Sequence, residues 1–117
     1  MNNNKHINIS SEKDFDDLIH RSKNTSDTFY AIFKHSTRCP ISSMALKRMD
    51  KSDFFDKHHI PYYYLDLLAY RNVSNYIAQQ LKVEHQSPQI IILKNGSVVC
   101  HTSHNDINED WLNENIH

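Results

Sequence analysis

Cys39 and Cys100 are the residues of this chain whose side chains could do nucleophilic redox chemistry. Cys39 lies in the stretch Lys34-His35-Ser36-Thr37-Arg38-Cys39-Pro40-Ile41-Ser42. The apolar run Phe29–Phe33 feeds into that stretch, and a helical pattern starting at Pro40 leaves it. A thiolate, not a thiol, is the sulfur nucleophile, and it is favoured beside cations and at helix N-termini, where the first N–H groups lack partners. Cys39 sits at such a helix start, since proline is well tolerated at the first helical position. Arg38 and Lys34 would add positive charge if their side chains point that way. A buried, inert cysteine is the alternative, and the position at a strand-to-helix junction favours the reactive reading.

Ser42 follows Cys39 by one helical turn, giving Cys-x-x-Ser. Its hydroxyl could donate a hydrogen bond to the thiolate, or it could be an ordinary first-turn serine. Cys100 falls late in a predicted strand, alternating with Val98, and reads as a small buried apolar residue. A disulfide with Cys39 would need the two Cα atoms within about 7 Å. His58-His59 and His101-x-x-His104 lack the spacing of a zinc site, so no metal is expected.

The elements that must position Cys39 come next. A chain of 117 residues is one domain by length, taken here as residues 1–117. Residues 1–10 read as a polar N-terminal arm in which Ile7–Ile9 could form a short edge strand. Ser11 and Asp14 resemble a capping box opening a first helix, with Phe15, Leu18, Ile19 and Ser22 on one face. Phe29–Phe33 reads as a buried strand, and the helix from Pro40 is expected to run to about Phe54 or Phe55. Ile60–Leu67 reads as a second strand, and Val73, Tyr76, Ile77 and Leu81 mark a third helix. Ile90–Leu93 is the most strand-like run, and Asn95-Gly96 is a strong hairpin signal before a returning strand at Ser97–His101. Asn108 can cap a last helix buried through Trp111, Leu112 and Ile116. The β-α-β part demands a right-handed crossover and a parallel pair, and the hairpin adds an antiparallel one. An α/β domain results, a central mixed four-stranded sheet with helices on both faces.

Composition narrows the function classes. A net charge of -1 gives no reason to expect nucleic-acid or membrane binding. No apolar run approaches the roughly 18–20 residues of a membrane span. The start Met1-Asn2-Asn3-Asn4-Lys5 lacks the apolar stretch of a signal peptide. A cytoplasmic, reducing location is therefore expected, where two cysteines are more plausibly reactive or buried than paired.

In element order over roughly residues 10–115, the chain resembles thioredoxin. Three segments resemble, more narrowly, the monothiol bacilliredoxin (YtxJ-like) family of the bacillithiol system. They are Lys34–Ser42, then His85-Gln86-Ser87-Pro88-Gln89, then His101-Thr102-Ser103-His104. The resemblance implies a thioredoxin-like fold and a thiol–disulfide oxidoreductase that removes bacillithiol from mixed disulfides on proteins. It implies Cys39 as catalytic nucleophile, a thiolate environment of Arg38, Pro40 and Ser42, and substrate binding through Ser87, Pro88, Thr37 and Arg38. It also implies a cis Ser87–Pro88 bond beside the cysteine, whose backbone could pair with a substrate chain. Ser42 stands where dithiol relatives carry the resolving cysteine, so the implied cycle is monothiol. Ordinary thioredoxins hold a buried aspartate six residues before the first cysteine, and here that position is Phe33. No bound cofactor is implied. Bacillithiol is a co-substrate, and the expected partners are bacillithiolated proteins, bacillithiol and an external reductase.

Two other classes compete. A non-catalytic thioredoxin-fold adaptor would keep its partner binding in full after Cys39→Ala. A thiol-dependent reductase of a small oxidised substrate would turn that compound over without any protein disulfide.

Overall fold

A computed structural model describes residues 6–116 and turns the apolar run before Cys39 into the middle of a sheet. The first part of the polar arm, residues 1–5, lies outside the described residues. The strands are β1 (Ile7–Asn8), β2 (Phe29–His35), β3 (Tyr62–Asp66), β4 (Gln89–Lys94) and β5 (Ser97–Ser103), in the spatial order β1-β3-β2-β4-β5. β1, β3 and β2 run parallel, while β2–β4 and β4–β5 are antiparallel. The sheet is thus five-stranded rather than four-stranded. The added member is the Ile7–Asn8 edge, the short edge strand that the polar arm offers at Ile7–Ile9, and Ile9 N–H continues it by donating to the Tyr64 carbonyl at 2.9 Å.

The helices are α1 (Glu12–Asn24), α2 (Pro40–Lys51), α3 (Phe54–Lys57), α4 (Arg71–Leu81) and α5 (Glu109–Asn115). Strand alternation divides the core into two layers. Ala31, Phe33, Ile90 and Ile92 face α2, α3 and α5 through Ala45, Met49, Phe54, Phe55 and Leu112. Tyr30, Ile32, Ile91 and Leu93 face α1 and α4 through Phe15, Leu18, Val73 and Ile77. Central strands covered on both faces read as continuous apolar runs, as Phe29–Phe33 and Ile90–Leu93 do.

The helix after Pro40 stops at Lys51, short of the expected Phe54 or Phe55. Ser52 turns extended (ψ 140°) and its hydroxyl accepts the Phe54 N–H at 3.1 Å, starting the separate turn α3. The local side-chain bond competes with helix continuation, as serine commonly does. Phe54 and Phe55 are buried all the same. Asn108 caps α5 by accepting the Trp111 N–H at 2.9 Å. Ser11 accepts the Asp14 N–H at 3.0 Å, but Asp14 reaches back to Ser10 N–H at 2.9 Å rather than to Ser11. The capping box is therefore offset by one residue.

Asn95 and Gly96 take φ values of 54° and 75°, the two left-handed positions of a type I′ hairpin. Gly96 N–H donates to the buried Ser22 hydroxyl at 2.8 Å, tying the hairpin to α1. A Cβ at Gly96 would lie 2.7 Å from Lys23 Cγ. Gly96→Ala is therefore expected to lower stability by about 1–2 kcal/mol through backbone strain and this contact. Urea unfolding checks this, and a midpoint equal to wild type would contradict it.

Between Ile92 and Leu93 the β4–β5 register shifts, so that Ile92 pairs with Cys100 and Leu93 with Val98. Val99 is the extra residue of the resulting bulge. Simple alternation would place Val98 and Cys100 on one face. The bulge instead turns Val98 toward the α1 layer and Cys100 toward the α2 layer.

Candidate active site

Cys39 is the N-cap residue of α2, in an extended conformation (φ -104°, ψ 117°), with Pro40 at the first helical position. It is half-buried and carries a free thiol. Its carbonyl accepts the Ser43 N–H at 3.0 Å, and its own N–H closes a turn on the Ser36 carbonyl at 3.1 Å. The sulfur-bearing residue thus sits where the first unpaired N–H groups of a twelve-residue helix converge, an arrangement that favours an anion. Thr37, Arg38 and Pro40 are exposed around it. On the first turns of α2, Ile41 and Met44 are 44% and 63% exposed, leaving an apolar surface next to the thiol.

Ser42 is fully buried. Its Oγ accepts the Ser36 N–H at 3.0 Å and lies 2.7 Å from His35 Nδ1. His35 ends β2 and was not singled out by its residue type. The available signal was alternation: Ala31, Phe33 and His35 share the face that α2 covers. The imidazole packs edge-on to Tyr64, with ring centroids 5.7 Å apart. Burial pushes its pKa down, opposed in part by the Asp66 and Asp50 carboxylates. Burial likewise raises the Asp50 carboxyl, while His6 and His35 act the other way.

Lys34 does not stand beside Cys39. Alternation sends it to the opposite face of the sheet, where it is wholly buried and Nζ donates to the Ser74 carbonyl at 3.2 Å. Loss of hydration lowers its pKa to about 8. Neither a cation for the thiolate nor a solvated surface residue fits that position. Arg71 opens α4 and, with Lys34, depresses the His85 pKa after burial has done so first.

Ser87 and Pro88 are joined by a cis peptide bond. Gln89 pairs with Lys34, so Pro88 lies level with the end of β2, where the Cys39 turn departs. The Pro88 carbonyl accepts the His104 N–H at 3.0 Å, and the Ser87 hydroxyl is buried without a partner among the described residues. A 3-10 turn at His104–Asp106 follows β5, and the Arg48 side chain of α2 donates to the Ile107 carbonyl at 2.9 Å.

Cys100 is remote from this site. It pairs with Ile92, which pairs with Ala31, four residues before the end of β2. Two strand spacings of about 4.8 Å and a rise of roughly 13 Å along the strand separate it from His35 alone. Cys39 lies in the turn beyond His35, and nothing in the register brings Cys100 toward the about 7 Å between Cα atoms that a disulfide tolerates. Cys100 is half-buried rather than buried, packed against the α2 layer, and desolvation raises its pKa. Among the described residues, no group of three or more His, Cys, Asp or Glu is placed to hold a metal ion.

The family model of the monothiol bacilliredoxin BrxC matches residues 7–112. The chain belongs to that family. A thioredoxin-fold protein described as an oxidoreductase is 33% identical, with a TM-score of 0.82 over 96% of this chain and 94% of that one. A thioredoxin from Nicotiana alata superposes with a TM-score of 0.72 at 18% identity, covering 94% of this chain and 88% of that one. For a thioredoxin from Trypanosoma brucei brucei the values are 0.70, 14%, 96% and 88%. The last two speak for the fold alone. Membership in a bacilliredoxin family on a thioredoxin-like fold makes this a thiol redox protein. No helix among the described residues is long and apolar enough to cross a membrane.

Proposed function

We propose that this bacilliredoxin removes bacillithiol from mixed disulfides on proteins, with Cys39 as the sole nucleophile. The observation that carries the reading is the occupant of the second motif position. A buried serine, held by Ser36 and His35, stands one turn after Cys39, and the register keeps Cys100 far away. With no second sulfur within reach, a mixed disulfide on Cys39 has to be resolved from outside.

The Cys39 thiolate attacks the bacillithiol sulfur of the modified protein. A Cys39–bacillithiol disulfide forms, the old disulfide breaks, and the protein sulfur leaves as a thiolate that water protonates. A second bacillithiol, as thiolate, then attacks the bacillithiol sulfur on Cys39. Symmetrical bacillithiol disulfide leaves and the Cys39 thiolate returns: the incoming thiolate supplies the electron pair of the new S–S bond, and the pair of the broken bond departs with Cys39. An external reductase would recycle that disulfide. Bacillithiol is thus a co-substrate, and no bound cofactor takes part.

Substrate contacts follow from exposure and placement. Arg38 is exposed next to Cys39, and its planar fork suits the carboxylates of a small thiol. Thr37 offers a hydroxyl on the same turn. Ser87 and Pro88 offer backbone for a short strand-like contact with the modified protein, and Ile41 and Met44 give it an apolar seat. A free, working Cys39 fits a reducing, cytoplasmic compartment.

Mass spectrometry after exposure to oxidised bacillithiol tests the cycle. The expected product is one adduct, on Cys39, discharged by added bacillithiol. An internal Cys39–Cys100 bond as the main product would overturn it.

A further inference from the structure

The three short links around Ser42 form one device. A hydroxyl has one proton and two lone pairs. The Ser36 N–H fills one lone pair at 3.0 Å. His35 Nδ1, at 2.7 Å, takes part in the second interaction. The Ser36 carbonyl in turn accepts the Cys39 N–H at 3.1 Å. The turn that presents the sulfur is therefore pinned at its first residue by Ser42, and Ser42 is oriented by His35. Both side chains are buried, with relative exposures of 0% and 5%, so water does not compete for these bonds.

The ring also decides where the serine proton points. With Nδ1 bare, Ser42 donates to the ring and its proton is used up. With a proton on Nδ1, the ring donates to Ser42, both lone pairs are filled, and the hydroxyl proton is no longer used by the ring. The groups facing the imidazole are Ser42 and Asp50 from α2, Phe33 from its own strand, and Tyr64 and Asp66 from β3.

We propose that His35 is a positioning residue of the exchange reaction, acting through Ser42 to fix the Ser36–Cys39 turn. The inference rests on Cys39 being the nucleophile but not on which small thiol it serves. It also explains why serine suits the second motif position even though it cannot resolve a disulfide. Its hydroxyl supplies the acceptor that the strand end needs and the donor or acceptor that the ring needs.

The test uses the full chain and a small symmetrical disulfide such as cystamine, with single-turnover rates of Cys39 modification at pH 7. His35→Phe removes the ring nitrogen and is expected to slow the reaction about 10-fold, in the range that a misplaced reacting group produces. His35→Asn keeps a polar atom at the same bond count from the backbone and is expected to stay within about 3-fold of wild type. Ser42→Ala should match His35→Phe, and the double variant should be no slower than either, because one linkage is cut once. A His35→Phe rate equal to wild type, or losses that multiply in the double variant, would overturn the proposal. Should His35→Phe lose its fold, Ser42→Ala and His35→Asn decide the matter, since the first must be slow and the second near wild type. If wild-type Cys39 itself fails to react with cystamine, it is the assignment of the nucleophile that falls.

Discussion

Cys39→Ser is expected to remove exchange activity by at least about three orders of magnitude, because a serine hydroxyl is not ionised at neutral pH and does not open disulfides. The fold should persist, since Cys39 contributes no side-chain cap bond to α2 and its backbone bonds are independent of the sulfur. Cys100→Ser should keep the wild-type rate, because its sulfur packs under the α2 layer near Ile92 and lies far from the helix start. Ser42→Cys completes the series. It places a second sulfur one turn after Cys39, where sequence-adjacent Cys-x-x-Cys pairs close readily at a helix start. The expected result is an internal disulfide between positions 39 and 42, with loss of the stable small-thiol adduct. The same change deletes a hydrogen-bond acceptor from the Ser36 N–H and should loosen the turn. Rate measurements on a bacillithiolated protein, with mass spectrometry of the trapped product, read all three variants. Full activity in Cys39→Ser would end the assignment of the nucleophile. An unchanged Cys39 adduct in Ser42→Cys would mean that the two positions do not face each other.

Lys34→Met should stabilise the protein at pH 7 by on the order of 3 kcal/mol. Lys34 is wholly buried under α4 with its Nζ on one carbonyl, and its pKa is lowered from 10.5 to about 8 by loss of hydration. A lowered lysine pKa means that the folded chain binds fewer protons than the unfolded chain between about pH 8 and pH 10.5. Stability therefore rises with pH across that window, and below about pH 8 the folded state carries the whole cost of a buried ammonium. Methionine has a similar length and needs no hydration. Tyr62 and Tyr64 also have raised pKa values, chiefly through burial, and they weaken the fold at the alkaline end. The difference between Lys34→Met and wild type isolates the lysine. Urea unfolding from pH 6 to pH 10.5 is expected to show the gap closing as pH rises. A gap that is absent or independent of pH would show that the ammonium is hydrated in the folded state. The Lys34–Gln89 pair also links β2 to the strand that follows Pro88, so the exchange rate of the variant is worth following with its stability.

Much of the frame could be read directly from residue order. Helical spacing located α1 and α4, and short continuous apolar runs located β2 and β4, because a segment of either kind carries its own local signal. Asn95-Gly96 marked the hairpin because its two left-handed φ values suit those residues and few others. Asn108 announced the start of α5 because a cap is a bond within three residues. Cys39 before Pro40 placed the thiol at a helix start for the same local reason. The cis bond at Ser87–Pro88 came from resemblance, since proline chemistry alone favours trans.

Other features depended on pairing between distant segments. The bulge at Val99 reverses the face of Cys100 relative to Val98, and only the β4 register creates it. The sequence offers an edge strand at Ile7–Ile9, but two residues carry no period, so its partner β3 and its register are set by the fold. Lys34 resembles a surface cation in composition, but a two-residue repeat in a strand covered on both sides buries it under α4. His35 and Ser42 are seven residues apart across a turn, and their 2.7 Å contact needs α2 folded back over the sheet. Residue types and spacing by themselves determined that a cysteine would stand at a strand-to-helix junction. The tertiary structure decided which side chains surround it, because neighbours across a sheet and under a helix are set by register and packing rather than by distance along the chain.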